Sequence, residues 1–470
     1  MRCAWLSGAA SRRRSTPIRS TSSTRWSPTS AGSALLRPTS ARRSGRAPTR
    51  SAIPSDCERG LTSLAVAFDT RNNSIGFLRW LMAFMVIFSH AGPVAGLFGG
   101  VDIGAQWGAE TSLGGVAVTG FFFLSGMLIT RSMTNSSSPV RFLWHRVVRI
   151  FPAWFLVLVI TAFVFAPLAW WHERGTVRGF FSVASDSPWD YVARNFTLIL
   201  GQWSIAGTGS GVHAVLEGYN TWNGSAWTLM WEFGCYLGVL ALGVVGALAG
   251  RIVGAAFAVL ILALSMLQAL HVGDLASTFQ LLGNPQVLQL AAPFAFGTLV
   301  QLFIDKVPFD DRLGIGMLVL AALCWWRGGW FVVGQYAFAY GLIWFGSRVK
   351  VLANWDRRAD LSYGIYIAGW PVMFLAAVFG VEKWGTVAYL AVVIVIVHLY
   401  ALASYMLIEK PALDLKHWMP RGVAVLGGWK PVPPKASSSR VPSWLRMTPL
   451  VLLLLVTGAL VIIGALRGAI

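Results

Sequence analysis

Charge is what this sequence has least of. Only 12% of its 470 residues are Asp, Glu, Lys or Arg, about half the ~25% usual in a soluble domain. With 55% of the chain apolar, that shortage excludes an ordinary soluble fold. Cysteine is scarce too. Cys3, Cys57, Cys235 and Cys324 have no paired spacing, which excludes a disulfide framework and a zinc site, and no metal is expected. Cys235 and Cys324 fall inside apolar runs, where a cysteine is a small buried hydrophobe. Acidic residues are missing altogether from residues 1–55, which hold 11 arginines and no Asp, Glu or Lys. No apolar run follows those arginines, so no secretory signal is expected.

The net charge of +19 would suit nucleic acid, but its distribution does not. Outside the N-terminal stretch most basic residues lie in short loops between apolar runs, so no nucleic-acid partner is expected. Arginine outnumbers lysine 31 to 7, which points to a GC-rich bacterial source. The 23 tryptophans and 28 phenylalanines suit membrane interfaces, where amphipathic rings settle at headgroup level.

Apolar runs of about the ~20 residues that cross a bilayer occur near 77–97, 112–132, 150–171, 227–249, 252–272, 286–304, 329–346, 361–380, 386–408 and 447–466. A shorter run, 313–326, completes an alternating set. Starting from a cytosolic N-terminus, the inner loops after residue 130 hold 18 basic residues and the outer segments six. That is the bias the positive-inside rule requires. The expected fold is all-α: a polytopic transmembrane helix bundle of about ten core helices plus one extra C-terminal helix, multi-pass in a bacterial cell membrane.

Four regions are expected. Residues 1–71 read as a disordered basic segment, with translation from a misplaced start as the favoured explanation. Residues 72–413 form the membrane domain. Residues 414–446 are a basic, Pro-rich cytosolic linker, and 447–470 hold the extra helix. Residues 172–226 form a Gly/Ser/Trp-rich outer loop.

Ionisable residues inside hydrocarbon are costly and usually face a cavity or a partner. Arg79 and His90 lie 11 residues apart, three helical turns, on one face and roughly 16 Å apart. A snorkelling arginine with a structural histidine would also produce this pair. Arg146 and Arg149 are neighbours on a helix surface. They read either as the ordinary positive-inside signal or as a phosphate clamp, since guanidinium matches phosphate oxygens bidentately. Glu232 is an intramembrane carboxylate without an obvious local partner. His398 has no motif around it and is expected to be structural.

These residues fall in an ordered series: Arg79-x10-His90, GFFFLSGMLIT (120–130), RFLWHRVVRIFP (141–152), GSAWTLMWEFGCYL (224–237), LSYGIYIAGWPV (361–372) and LIEKPAL (407–413). The series resembles the acyltransferase 3 family, bacterial multi-span membrane enzymes that O-acetylate cell-surface glycans and sometimes glycolipids or macrolide-type products. The resemblance runs from about residue 72 to 413 and makes that region a membrane acyltransferase domain. It implies that His90 is the essential histidine, with Glu232 a second catalytic group. It also implies that Arg79, Arg146 and Arg149 meet the acyl donor on the cytosolic side. Two features depart from the family. The acidic residue often found just before the first motif arginine is absent from Ile75-Gly76-Phe77-Leu78, and one acid rather than two stands near Glu232.

The expected reaction moves an acyl group, an acetyl first of all, from acyl-CoA to a hydroxyl of an envelope glycan or glycolipid. Acetyl-CoA is a co-substrate, and no permanently bound cofactor is expected. Histidine suits the base because its pKa lies near neutrality. Direct base catalysis and a covalent acyl-histidine fit the sequence equally. Trp222 and Trp227 are the expected acceptor contacts, with Trp189, Tyr191 and Trp203 available for stacking on sugars. The alternative is a transporter of an acyl donor or a lipid-linked sugar. It would show internal repeats with matching broken helices, and no convincing repeat is present.

Overall fold

The computed structural model describes residues 62–216, 219–271 and 285–417. The expected helix at 447–466 and nearly all of the 414–446 linker lie outside these residues. In hydrocarbon every backbone polar group must be satisfied internally, and the apolar runs accordingly form helices. They are α1 (Ile75–Ala95), α2 (Leu113–Thr134), α3 (Pro139–Arg174), α4 (Pro188–Asn195), α5 (Trp227–Val244), α6 (Ile252–Ala269), α7 (Pro285–Leu302), α8 (Asp311–Arg327), α9 (Gln335–Arg348), α10 (Ser362–Val378) and α11 (Thr386–Asp414). The shorter run at 313–326 is the helix α8. Among the described residues, α1, α2, α3, α6, α11 and Gly224–Val244 are long and apolar enough to cross a membrane. Two shorter apolar helices, Gln286–Leu302 and Ser362–Val378, join them.

Helix starts are written locally. Ser112 accepts from the Gly115 amide at 2.8 Å and Ser138 from the Arg141 amide at 3.3 Å, with Pro139 in the first turn of α3. Asp310 accepts from the amides of Arg312 and Leu313 ahead of α8. Such caps satisfy amides that a helix end leaves unpaired. Wider π turns interrupt α3 at Thr161–Phe165 and α11 at Tyr405–Glu409.

Burial separates centre from rim. Of the most apolar stretch of α2, 67% is buried within the protein, against 17% for α6. Helices α1, α2, α7 and α10 form the centre, while α6, α8 and α11 lie outside. The outer helices expose rows of apolar side chains, including Leu260, Val319, Val395 and Leu399. That surface is what a lipid-facing helix presents and what a water-soluble domain avoids. At the centre α2 and α7 meet backbone to backbone. A Cβ on Gly126 would lie 2.0 Å from the Phe294 carbonyl oxygen, and one on Gly297 would lie 2.2 Å from that of Phe123. Small residues at such crossings let membrane helices approach closely.

The segment expected to be disordered to residue 71 is folded where it is described. Strand β1 (Thr62–Ser63) pairs antiparallel with β4 (Pro308–Phe309), and Leu64 and Phe68 are buried. The Leu64 and Ala65 amides donate to the Val307 and Ile304 carbonyls. The apolar Leu64-x3-Phe68 pair folds under this cover. The region 172–226 is likewise structured, with α4 and a small hairpin of β2 (Val215–Leu216) and β3 (Tyr219–Asn220). Trp154 of α3 donates to the Asn195 carbonyl at 3.0 Å and fastens this region to the bundle.

Gly126→Ala or Gly297→Ala should each destabilise the protein by about 1–3 kcal/mol, the cost of overpacking a close-packed contact. A lowered thermal unfolding midpoint in detergent is the expected result; an unchanged midpoint would show that the crossing has slack.

Candidate active site

Five helices, α1, α2, α3, α5 and α10, bring their polar residues to one cavity of about 180 Å³. Its lining includes Arg79 from α1, Ser125 from α2, Arg146 and Arg149 from α3, and Glu232 from α5. Arg79 of α1 is far in sequence from the neighbouring Arg146 and Arg149 of α3, and the cavity brings all three together with a carboxylate from further along the chain. What the sequence pattern did not disclose is how the arginines are held. Asp360, in the loop before α10, bridges two of them, with Arg79 at 2.8 Å and Arg149 at 2.7 Å on the same carboxylate oxygen. Its other oxygen accepts from the Ser362 hydroxyl at 2.6 Å. Burial alone would push the Asp360 carboxyl up, but Arg79 and Arg149 overrule it and hold it well below the usual carboxylate range.

Arg149 reaches a second acid, Glu409 of α11, at 3.5 Å, and its guanidinium faces the Tyr363 ring at 5.8 Å. The π turn at Tyr405–Glu409 ends on this acid; such turns recur at functional sites. Arg146 differs. It forms no ion pair among the described residues. One terminal nitrogen reaches the Ser132 hydroxyl at 3.5 Å, and its buried Nε has no partner there. Glu232 also lacks a cation partner among the described residues and instead accepts from the Ser125 hydroxyl at 3.0 Å and from Tyr236.

His90 lines an adjoining cavity of about 210 Å³ with a different chemistry. Its lining is neutral, including Ser112, Thr119, Ser225 and Gln289, with Trp227 beside them. The imidazole meets the Trp370 ring edge to face at 4.8 Å, and its nitrogens have no hydrogen-bond partner among the described residues. Near this end of α1 is another acid, Asp102, which accepts from Ser89 and from the amides of Gly104 and Leu113. Arg79 and His90 therefore open into neighbouring cavities rather than one.

The expected acceptor contacts separate. Trp227 lines the His90 cavity, but Trp222 is fully buried, meets the Phe374 ring at 4.4 Å with the planes tilted by 44° and donates to the Thr208 hydroxyl at 3.0 Å. Trp222 therefore packs the outer region and has no free face for a sugar. Tyr191 is buried likewise, whereas Trp189 is exposed. His398 is structural: Trp80 donates to its Nε2 at 3.1 Å, and its Nδ1 donates to the Ile394 carbonyl at 2.8 Å. Asp360, Glu409, Tyr236 and Tyr366 are the site residues that sequence reasoning passed over. Glu409 stood inside the quoted LIEKPAL stretch, and the missing acid before Arg79 was the one hint of a remote replacement.

Comparison with known proteins agrees with the geometry. Residues 72–406 match the family described as an acyltransferase domain. The chain is 27% identical to nodulation protein 10 of Rhizobium leguminosarum bv. viciae over 377 residues, covering 73% of this chain and 94% of that protein. It is 33% identical to an O-acetyl transferase of Shigella phage Sf6 over 36% of this chain and 44% of the relative. Acyltransferase MdmB of Streptomyces mycarofaciens is 27% identical over 35% and 37%. No solved structure matches. An acyl-transferring membrane enzyme follows from this, in place of the transporter alternative.

Asp360→Asn should destabilise the fold by about 3 kcal/mol, the lower end for breaking a buried pair, since the groups keep about a fifth to a quarter of their exposure. A carboxyl depressed in the folded state stabilises fully above its unfolded value of about 3.9, and the effect fades as pH falls further. The gap in unfolding midpoint between wild type and variant should therefore be flat from pH 5 to 8 and shrink below about pH 4.

Proposed function

Because this chain belongs to the acyltransferase 3 family, we propose that it moves an acyl group, acetyl first of all, from cytosolic acyl-CoA to a hydroxyl of a bacterial envelope glycan or glycolipid. The observation that carries this reading is the convergence of Arg79, Arg146, Arg149 and Glu232 on one cavity that adjoins the cavity of His90. A cationic chamber suits the phosphates of the donor, and a neutral chamber of hydroxyls and amides suits a polyhydroxyl acceptor. The excess of basic residues in the inner loops supports placing the arginine chamber on the cytosolic side.

Within this reading the arginines divide their work. Arg79 and Arg149 are already neutralised by Asp360 and Glu409. Arg146 has charge and a donor to spare, so it takes the donor anion. Glu232 stands beside it as a second acid–base group. In the neighbouring chamber His90 accepts the proton of the acceptor hydroxyl as that oxygen attacks the thioester carbonyl. The tetrahedral intermediate collapses with cleavage of the C–S bond, and the departing thiolate takes the proton back from the imidazole. Trp227 provides an aromatic wall for the acceptor.

Purified protein supplied with labelled acetyl-CoA should hydrolyse it or transfer its acetyl group, and comparison of envelope glycans with and without the gene by mass spectrometry should show the lost acetyl mass. His90→Ala should lower the rate by about 10²–10⁴, the usual worth of a positioned base, with unchanged elution and melting. Retained activity would remove His90 from its role. Arg146→Ala should raise KM for acetyl-CoA with little change in kcat, the mark of lost ground-state binding.

A further inference from the structure

The two chambers share three lining residues, Val118 of α2, Thr228 of α5 and Tyr366 of α10. An acyl carbonyl delivered among the arginines must pass this partition to meet a hydroxyl beside His90. The partition is held firmly. Tyr366 is 8% exposed and Thr228 4%. The Tyr366 hydroxyl donates to the Ser225 carbonyl at 2.9 Å, so its close contact with the Thr228 hydroxyl has Thr228 as donor. Around this latch the two strands of chain are laced together: Asn223 donates to the Ile367 carbonyl at 3.1 Å and Trp370 to the Thr221 carbonyl at 2.7 Å. On the arginine side the Tyr366 ring meets Phe121 edge to face at 5.8 Å. With Phe122 and Leu229 also on that side, apolar side chains flank the Tyr366 ring where the acyl tail would arrive.

We propose that Tyr366, latched to Thr228 and Ser225 and backed by Val118, is a size gate that restricts transfer to short acyl groups. This rests on the acyl-CoA reading given above. A rigid partition penalises each added carbon, because its buried hydrogen bonds must break before the wall can move. A closed apolar site distinguishes substrates by roughly 10–200-fold per methylene, which sets the scale of the selectivity. Tyr366 is thus a specificity-determining residue, and Val118 its partner from another helix.

The test compares turnover of acetyl-, propionyl-, butyryl- and octanoyl-CoA by the wild-type protein and by Tyr366→Ala, Tyr366→Phe and Val118→Ala. Wild type should favour acetyl over butyryl at least tenfold in kcat/KM. Tyr366→Ala should raise the butyryl-to-acetyl ratio at least tenfold. Tyr366→Phe, which keeps the ring and loses the latch, should raise it less. Val118→Ala leaves every hydrogen bond of the latch in place and should shift the ratio in the same direction, so a poorly folding Tyr366→Ala protein does not protect the proposal. Octanoyl turnover by wild type equal to acetyl would overturn the gate while leaving the acyl-CoA reading intact. Equal loss for every chain length in Tyr366→Phe and Val118→Ala would overturn it too, as the sign of a merely structural residue. Wild-type protein inert toward every acyl-CoA would bring down the donor assignment, and the gate with it.

Discussion

One carboxylate oxygen holds two guanidinium groups at the end of this bundle. Asp360 meets Arg79 of α1 and Arg149 of α3 on the same atom, and without that anion two cations at such short range would repel one another in a partly desolvated setting. Glu409 adds a second acid to Arg149 from α11. The arginine chamber therefore exists because remote acids neutralise two of its three cations. Its third, Arg146, keeps an unspent charge.

From that cluster the polar residues continue along α1. Arg79 and His90 sit three turns apart on one helix, yet each opens into its own chamber, one charged and one neutral. The two chambers share a boundary of three residues, Val118, Thr228 and Tyr366. The wall itself is made from three helices and pinned by buried hydroxyls, so its position depends on the packing of α2, α5 and α10 together. The outer region closes over the same helices, and Trp222 contributes as packing, since its ring and its N–H are both already occupied.

Much of this was legible in the residues. Among the described residues the apolar runs lie where the structure forms helices, including the short α8, because hydrocarbon leaves the backbone no alternative. Arg79, Arg146, Arg149 and Glu232 stood out because ionisable groups are rare and costly in such runs, and they converge. Trp222 was misread because an aromatic residue in a loop looks the same in sequence whether its ring is free or packed. Leu64 and Phe68 were hidden by the arginine-rich stretch before them.

By itself the sequence determined the class of protein, the helices and the rare polar groups, since each follows from local composition and the physics of a bilayer. Only the tertiary structure decided which arginine has no ion pair among the described residues, which acids hold the others, and that Arg79 and His90 line separate chambers. Those outcomes rest on side chains meeting across hundreds of residues, as Arg79 does with Asp360. Such pairings are set by how helices cross, and no local pattern encodes that.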